Sequence, residues 1–323
     1  KGPPCHMYWG SDISDEYVIA DRLAEWTSVL HIEELDDVVE QSAEQLANGD
    51  VVGWAQGRSE FGPRALGNRS ILADPRPTEN KERINMMIKK REAFRPFAPS
   101  VVAESVQDFF EIPSTIDDFP FMTLVLPVRQ DKRALLGAVT HVDATVRIQT
   151  VSKTANLKYW QRLNAFGRLT GVPVLLNTSF NNNREPIVNS IDDVVTCLLT
   201  TGLSCAVLGT HLIRRKQDPI DQAESFCVSM APHMRIVEFN GSSGQTTYAA
   251  CPKTDSLYQY ATPLSGGLAD VLRDFSTTVS LGDFADRLRT VDSSDKYMTD
   301  DLIRLWSERV IRIRPITNLL CGK

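Results

Sequence analysis

The segment GRSEFGPRALGNRS, Gly57 to Ser70, sets Arg58, Arg64 and Arg69 around Gly62, Pro63 and Gly67. A guanidinium fork matches phosphate or carboxylate oxygens with two parallel hydrogen bonds. Glycines let a backbone approach such an anion closely. Arg64 is the sharpest candidate: it follows Pro63 and precedes Ala65-Leu66-Gly67, a turn where little else would hold an arginine still. From Arg58 to Arg95 there are ten Lys/Arg against five acids, a local +5 in a chain of net charge −6. Within that run Lys81, Arg83 and Lys90 fit a solvated helix face.

Three later segments carry similar chemistry. IKKREAFRPFAPSV supplies Lys89, Arg91 and Arg95. Arg95 lies between two phenylalanines, so an anion ligand and a guanidinium packed on rings are both open readings. In THVDATVRIQTV, period two puts Thr145, Arg147 and Gln149 on one strand face. An arginine on such a face needs an anion or a buried acid. PVLLNTSFNNNREP carries Asn177, Ser179 and Asn181 off the end of a buried strand. Carboxyl ends of strands are where ligands collect in α/β sheets; a turn capped by its own side chains is the alternative. His141 beside Asp143 reads as a local turn pair rather than a catalytic dyad.

Several functions find no support. There is no GxxxxGK[ST], no GxGxxG after a strand and no GxSxG. The five histidines and six cysteines include no CxxC and no metal spacing, so no metal site is expected in this chain. The cysteines read as free thiols of a reducing, cytoplasmic compartment. A net charge of −6 gives no bulk case for nucleic acid. No apolar run nears the ~18 residues of a membrane span. KGPPCHMYWG shows no signal peptide and lacks an initiator Met, so the chain reads as a processed or excised piece.

These residues need elements to position them. Helices are expected over DEYVIADRLAEW, Ile32 to Asn48, Glu79 to Lys90, VQDFFEI, Asn156 to Thr170, and SIDDVVTCLLTTG with Ser190 as N-cap. Strands are expected at Asp50–Trp54, Ser70–Asp74, Ser100–Ala103, PFMTLVLPV, THVDATVRIQTV, GVPVLLN, CAVLG and HLIRRK. That alternation predicts one α/β layered domain. Beyond Lys216, MRIVEFN and TTYAACP read as a hairpin, followed by LADVLRDF, LGDFADRL and TDDLIRLWSERV as helices and IRIRP as a strand. This is a small α+β, winged-helix-like extension, expected to serve packing or partner docking.

Taken in order, GRSEFGPRALGNRSILADPR, IKKREAFRPFAPSV, THVDATVRIQTV and PVLLNTSFNNNREPIV resemble the carboxy-terminal half of the O-carbamoyltransferases of nodulation and antibiotic tailoring. The resemblance implies a YrdC-like fold, a twisted mixed sheet with flanking helices, over residues 32–215. Residues 1–31 would then be a remnant or linker from a preceding actin-like domain, and 216–323 an extension of unknown role. It further implies that ATP, with Mg2+, and carbamoyl phosphate give carbamoyl-adenylate. The absent actin-like domain of the same polypeptide, which would carry the Fe2+ or similar metal, passes the carbamoyl group to a small-molecule hydroxyl. No DNA or membrane partner is implied. Carried over by position, Lys89, Arg147 and Ser179 would be catalytic. Arg64, Arg69, Arg91, Arg95, Gln149, Asn177 and Asn181 would bind substrate or nucleotide. The sequence departs from the family at Ala144, where glycine is usual, and at NNNRE. A threonylcarbamoyl-adenylate synthase acting in tRNA modification, and a non-catalytic module for RNA or a carrier protein, are the alternatives.

Overall fold

The computed structural model describes residues 6–113, 118–216, 219–240, 246–254, 261–275, 277–291 and 295–316. The chain divides into two compact units, residues 1–24 with 31–215, and residues 25–30 with 216–323. The second unit takes up the chain from Lys216. The segment 1–31 is divided between the units, and residues 1–24 belong to the first. The reason is visible in α1 (Glu16–Ala24). Arg22 pairs with Asp192 at 2.7 Å, and Glu16 accepts the amide and hydroxyl of Thr210 at 3.1 Å.

The first unit carries β1 (Leu30–Glu34), β2 (Val52–Ala55), β3 (Arg69–Ala73), β4 (Ala98–Val102), β5 (Val125–Pro127), β6 (Thr145–Arg147), β7 (Gln149–Val151), β8 (Val174–Ser179), β9 (Cys205–Leu208) and β10 (His211–Arg215). Eight of them form one sheet in the order β1-β10-β9-β2-β3-β8-β4-β7. It is mixed: β2 with β9 and β4 with β7 run parallel, whereas β3 and β4 both flank β8 antiparallel. Its helices are α2 (Val38–Ala47), α3 (Glu79–Met87), α4 (Val106–Phe109), α5 (Leu157–Thr170) and α6 (Ile191–Thr200). The expected twofold layering of a mixed sheet and flanking helices is therefore present.

The core follows from strand register. Val52 opposes Leu72 and Cys205, and Trp54 opposes Val207, so these side chains share a face. Leu46 of α2 and Leu163 and Phe166 of α5 bury against them. Each such side chain contributes about 1.5–3 kcal/mol on full burial. On the opposite face a Cβ at Gly53 would lie 2.3 Å from the Phe180 ring, so glycine is what lets Phe180 reach the sheet. Helix ends obey their caps. Asn156 accepts from the Tyr159 amide, Gly171 closes α5 at φ 76°, and Ser190 with Asp193 forms a capping box on α6.

Three expectations are corrected. The helix drawn from Ile32 begins only at Val38, because Asp37 accepts the amides of Val39 and Glu40 and fixes the N-terminus there; Leu30–Glu34 instead forms an edge strand. PFMTLVLPV is a strand only over Val125–Pro127, with Met122 in a left-handed conformation at φ 54°. THVDATVRIQTV is not one strand. Residues 141–145 form a tight turn, with Ala144 left-handed at φ 62°. Arg147 then pairs with Val125 of β5, while Gln149 pairs with Ser100 of β4. Arg147 and Gln149 thus sit in different ladders of different sheets.

Ala144 holds a backbone conformation that suits glycine better. A left-handed alanine costs about 1–2 kcal/mol, against roughly 0.5–1 kcal/mol of extra chain entropy that glycine loses on folding. Ala144→Gly is therefore expected to stabilise the chain by about 0.5–1 kcal/mol, read as a higher urea midpoint at unchanged slope. An unchanged or lower midpoint would contradict this account of the turn.

The second unit holds β11 (Phe226–Met230), β12 (Met234–Asn240), β13 (Thr246–Pro252), β14 (Thr262–Leu264), β15 (Val279–Ser280) and β16 (Ile311–Pro315). They form two three-stranded sheets, β15-β11-β16 and β12-β13-β14. With them are α7 (Gly266–Asp274), α8 (Leu281–Val291) and α9 (Asp295–Ser307). The expected hairpin is β12–β13, with Met234 opposite Pro252; its turn at 241–245 lies outside the described residues. Phe275 and Phe284 meet edge to face at 4.6 Å. Among the described residues, no helix is long and apolar enough to cross a membrane.

Candidate functional site

Lys89 lies just beyond α3, where the chain turns through Lys90 at φ 45°. Its side chain is 5% exposed and runs inward to the end of β8. There Nζ donates to Ser179 O at 2.5 Å, Ser179 Oγ at 3.1 Å, Asn181 O at 2.8 Å and Asn181 Oδ1 at 2.8 Å. Ser179 Oγ in turn donates to Asn181 Oδ1 at 2.6 Å, and Asn181 Nδ2 to Glu185 O at 2.8 Å. The sequence-predicted Lys89, Ser179 and Asn181 are thus in direct contact. Burial pushes the Lys89 ammonium down to about 7; nearby Cys197 and Glu185 oppose this and Arg91 adds to it. The four oxygens favour the charged form that donates to them.

The turn bearing Arg64 is built from backbone. Glu60 Oε1 accepts the amides of Leu66 at 2.6 Å, Asn68 at 2.8 Å and Arg69 at 3.3 Å. Tyr8 Oη and Gln149 Nε2 both donate to Leu66 O at 2.8 Å, and Asn177 Nδ2 donates to Ala65 O at 3.2 Å. Asn177 Nδ2 also meets Gln149 Oε1 at 2.9 Å and Ser100 Oγ at 3.0 Å. At Gly67, φ is 110° and a Cβ would strike the Tyr159 ring at 2.2 Å, so the position demands glycine. Side chains from four segments therefore lock the peptide units on either side of Arg64. Its guanidinium stands exposed on this rigid base.

Arg147 is half-buried near Arg64, and its guanidinium is held below the usual range by burial and then by the Arg64 charge. Its Nε is buried without a partner. Among the described residues neither guanidinium has a hydrogen bond or ion pair. Two cations held together without an acid raise the free energy of the empty protein, and an anion between them would relieve it.

The other predicted residues are placed differently. Gln149 and Asn177, 2% and 1% exposed, use their amide donors on the Arg64 turn and its polar neighbours. They hold the turn rather than face a ligand. Arg69 is fully buried and donates to the carbonyls of Gln56, Asn68, Gly57 and Ser11 at 2.8–3.3 Å. Arg91 stacks on Phe97 at 4.9 Å and donates to Asn85 Oδ1 at 2.6 Å; burial and Arg95 bring it down to about 10. Arg95 itself is exposed, and the ring contact that was one of its two open readings is made by Arg91. Sequence reasoning missed Glu60 and Tyr8. An acid among arginines suggests an ion pair, and nothing local marks a carboxylate that takes backbone amides instead.

Among the described residues no three His, Cys, Asp or Glu side chains gather as a metal site. An open groove of about 450 Å³ lined by Ser105, Asp108, Arg129, Asp131 and Lys132 includes none of the residues above.

Residues 43–215 match the family model described as Carbamoyltransferase C-terminus, a match that ends where the chain leaves the first unit. The nodulation protein NolNO of Sinorhizobium fredii is 45% identical over 96% of this chain and 46% of its own length. The 3'-hydroxymethylcephem-O-carbamoyltransferase of Amycolatopsis lactamdurans is 40% identical over 66% of this chain and 39% of its own length. The chain spans about half the length of the nodulation relatives, 46% of NolNO and 57% of NolO of Bradyrhizobium diazoefficiens. Among solved structures, P. abyssi Sua5 complexed with L-threonine is similar over 53% of this chain and 46% of its own, at 18% identity and a TM-score of 0.39.

Proposed function

The chain belongs to the carbamoyltransferase family, matching that family's C-terminal region with residues 43–215, and from that premise we propose that it forms carbamoyl-adenylate from ATP and carbamoyl phosphate. Water hydrolyses carbamoyl phosphate to carbamate and inorganic phosphate, and a carbamate oxygen then attacks the α-phosphorus of ATP. The α–β phosphoanhydride breaks and pyrophosphate leaves. Both reactants are anions, so the step needs fixed positive charge to offset their repulsion. The observation that carries the reading is Arg147, its Nε buried without a partner and its guanidinium within reach of the Arg64 charge, with no acid among the described residues paired to either.

In this reading Arg64 and Lys89 take phosphate oxygens, and Arg147 the carbamoyl or α-phosphate oxygens. Ser179 and Asn181 hold the Lys89 ammonium until substrate arrives. Glu60, Gln149 and Asn177 are positioning residues for Arg64. Mg2+ arrives on the nucleotide as part of the substrate. The carbamoyl acceptor is a small-molecule hydroxyl, served by the remainder of a longer protein.

The test is direct. Given ATP and carbamoyl phosphate, the folded chain should release pyrophosphate and form carbamoyl-adenylate, with no transfer to an acceptor. Threonine with bicarbonate in place of carbamoyl phosphate should give none. Arg147→Ala should lower the rate about a hundredfold, the scale of one preorganised charge contact. Absence of pyrophosphate from a folded wild-type chain would overturn the proposal, and an unchanged Arg147→Ala rate would remove that residue from it.

A further inference from the structure

His141 and Lys81 have no part in the site above, yet His141 lies within reach of the Lys81 and Arg147 charges. The start of α3 is tied to the loop before His141: Ala138 N donates to Pro75 O at 2.9 Å. Gly137 packs so closely on Thr78 that a Cβ there would lie 2.5 Å from Thr78 Oγ1. Lys81 follows Thr78 by one turn, its amide bonded to Thr78 O. His141 follows Gly137 by one turn, after Thr140 Oγ1 bonds Leu136 O at 2.8 Å. Past His141 the turn closes, with His141 N on Thr145 O and Ala144 N on His141 O, both at 3.0 Å. That turn delivers β6 and Arg147. Three elements so converge.

The charges acting on the imidazole are those of Asp143 on its own turn, Lys81 on α3 and Arg147 on β6, with Arg64 acting on Arg147. Asp143 is committed elsewhere: its Oδ1 accepts from Thr145 N at 3.0 Å and Thr145 Oγ1 at 2.7 Å. The ring itself makes no hydrogen bond with a described residue. Burial first, then Lys81 and Arg147, hold the imidazole below its ordinary range, against Asp143. A proton there is unfavourable while the cluster is empty.

We propose that Lys81, His141 and Arg147 form a phosphate-binding subsite in which an arriving phosphoryl dianion is matched by uptake of one proton on His141. This deepens the function proposed above and rests on its assignment of Arg147 to an anion. The dianion replaces two repelling cations as the imidazole's strongest neighbour, so the preference for the neutral ring reverses. The chemistry is that of a terminal phosphate, whether the polyphosphate tail of a nucleotide or the phosphate released from an acyl phosphate.

The test reads the protein's five imidazoles by NMR of 13C-labelled histidine, titrated with pH. Sulfate serves as a dianion that does not itself titrate near neutrality, with sodium chloride at equal ionic strength as control. One resonance, absent in His141→Asn, should move its midpoint up by about one pH unit with sulfate, the scale of one nearby opposite charge. Lys81→Gln should raise that midpoint without sulfate and shrink the sulfate effect; it also identifies the resonance if His141→Asn fails to fold. Parallel titrations with a non-hydrolysable ATP analogue and with inorganic phosphate tell the two sources apart by which reproduces the shift. A midpoint unmoved by sulfate, or moved equally at all five rings, overturns the proposal. Loss of pyrophosphate formation with the sulfate shift intact would instead count against the adenylation reading alone.

Discussion

Lys89→Met is expected to lower carbamoyl-adenylate formation about a hundred- to a thousandfold while the chain stays folded, the loss typical of one preorganised donor in a water-poor site. The pH behaviour should change with it. The free ammonium is pushed to about 7, so raising pH through that value removes the charge that greets the anion. In the wild type kcat/KM should fall above pH 7, by close to tenfold per unit, since kcat/KM reports the free enzyme. The limb of kcat should lie at higher pH, because a bound anion restores the proton's hold. Stability runs the other way. A lysine whose folded value lies below its unfolded one binds its proton more tightly when unfolded, so this group's contribution to stability rises with pH from about 7 to about 10.4. Lys89→Met should remove both the kcat/KM limb and that stability rise. A variant with wild-type kcat/KM at pH 7 would take Lys89 out of the chemistry.

Arg69→Met is expected to cost stability rather than chemistry, by roughly 3 kcal/mol. Removing the guanidinium strands the carbonyls of Gln56, Asn68, Gly57 and Ser11 in the interior. Release of a fully buried cation offsets part of that loss, which is why the figure is below the sum of four broken bonds. Arg69→Lys should recover little, because a compact ammonium cannot span carbonyls from three chain segments. Urea unfolding measures it. A loss under about 1 kcal/mol with a large fall in pyrophosphate release would return Arg69 to the anion site.

Arg69 also shows where reading the sequence stops. In GRSEFGPRALGNRS, an arginine that cradles an anion and one that gathers carbonyls are the same letter in the same kind of turn. What separates them is register: Arg69 opens β3 and points into the protein, whereas Arg64 sits on the loop's outer edge. Neither is visible before the strand's first residue is known. Lys89, Ser179 and Asn181 are legible as separate candidates, though not as partners, for a different reason. Each lay at the end of an element that local signals identify, the helix stopping short of FRPFAP and the apolar run PVLLN emptying into a polar loop. The split of THVDATVRIQTV was not legible, because alternation of apolar and polar residues persists across the break at Ile148 while the pairing partner changes from β5 to β4. Periodicity reports a face and not a neighbour. Glu60 was hidden because its partners are amides, which every residue type carries.

One feature of Lys89 bears on how the protein treats its visitors. A protonated amine has three hydrogens, and four oxygens already claim them. An incoming oxygen must evict a resident before it can bind. Swapping one neutral carbonyl or hydroxyl for a singly charged oxygen gains little, and swapping it for a doubly charged phosphoryl oxygen gains more. In the function proposed here the crowding would act as a turnstile that admits ligands by charge, with Ser179 and Asn181 closing on the ammonium again as product departs.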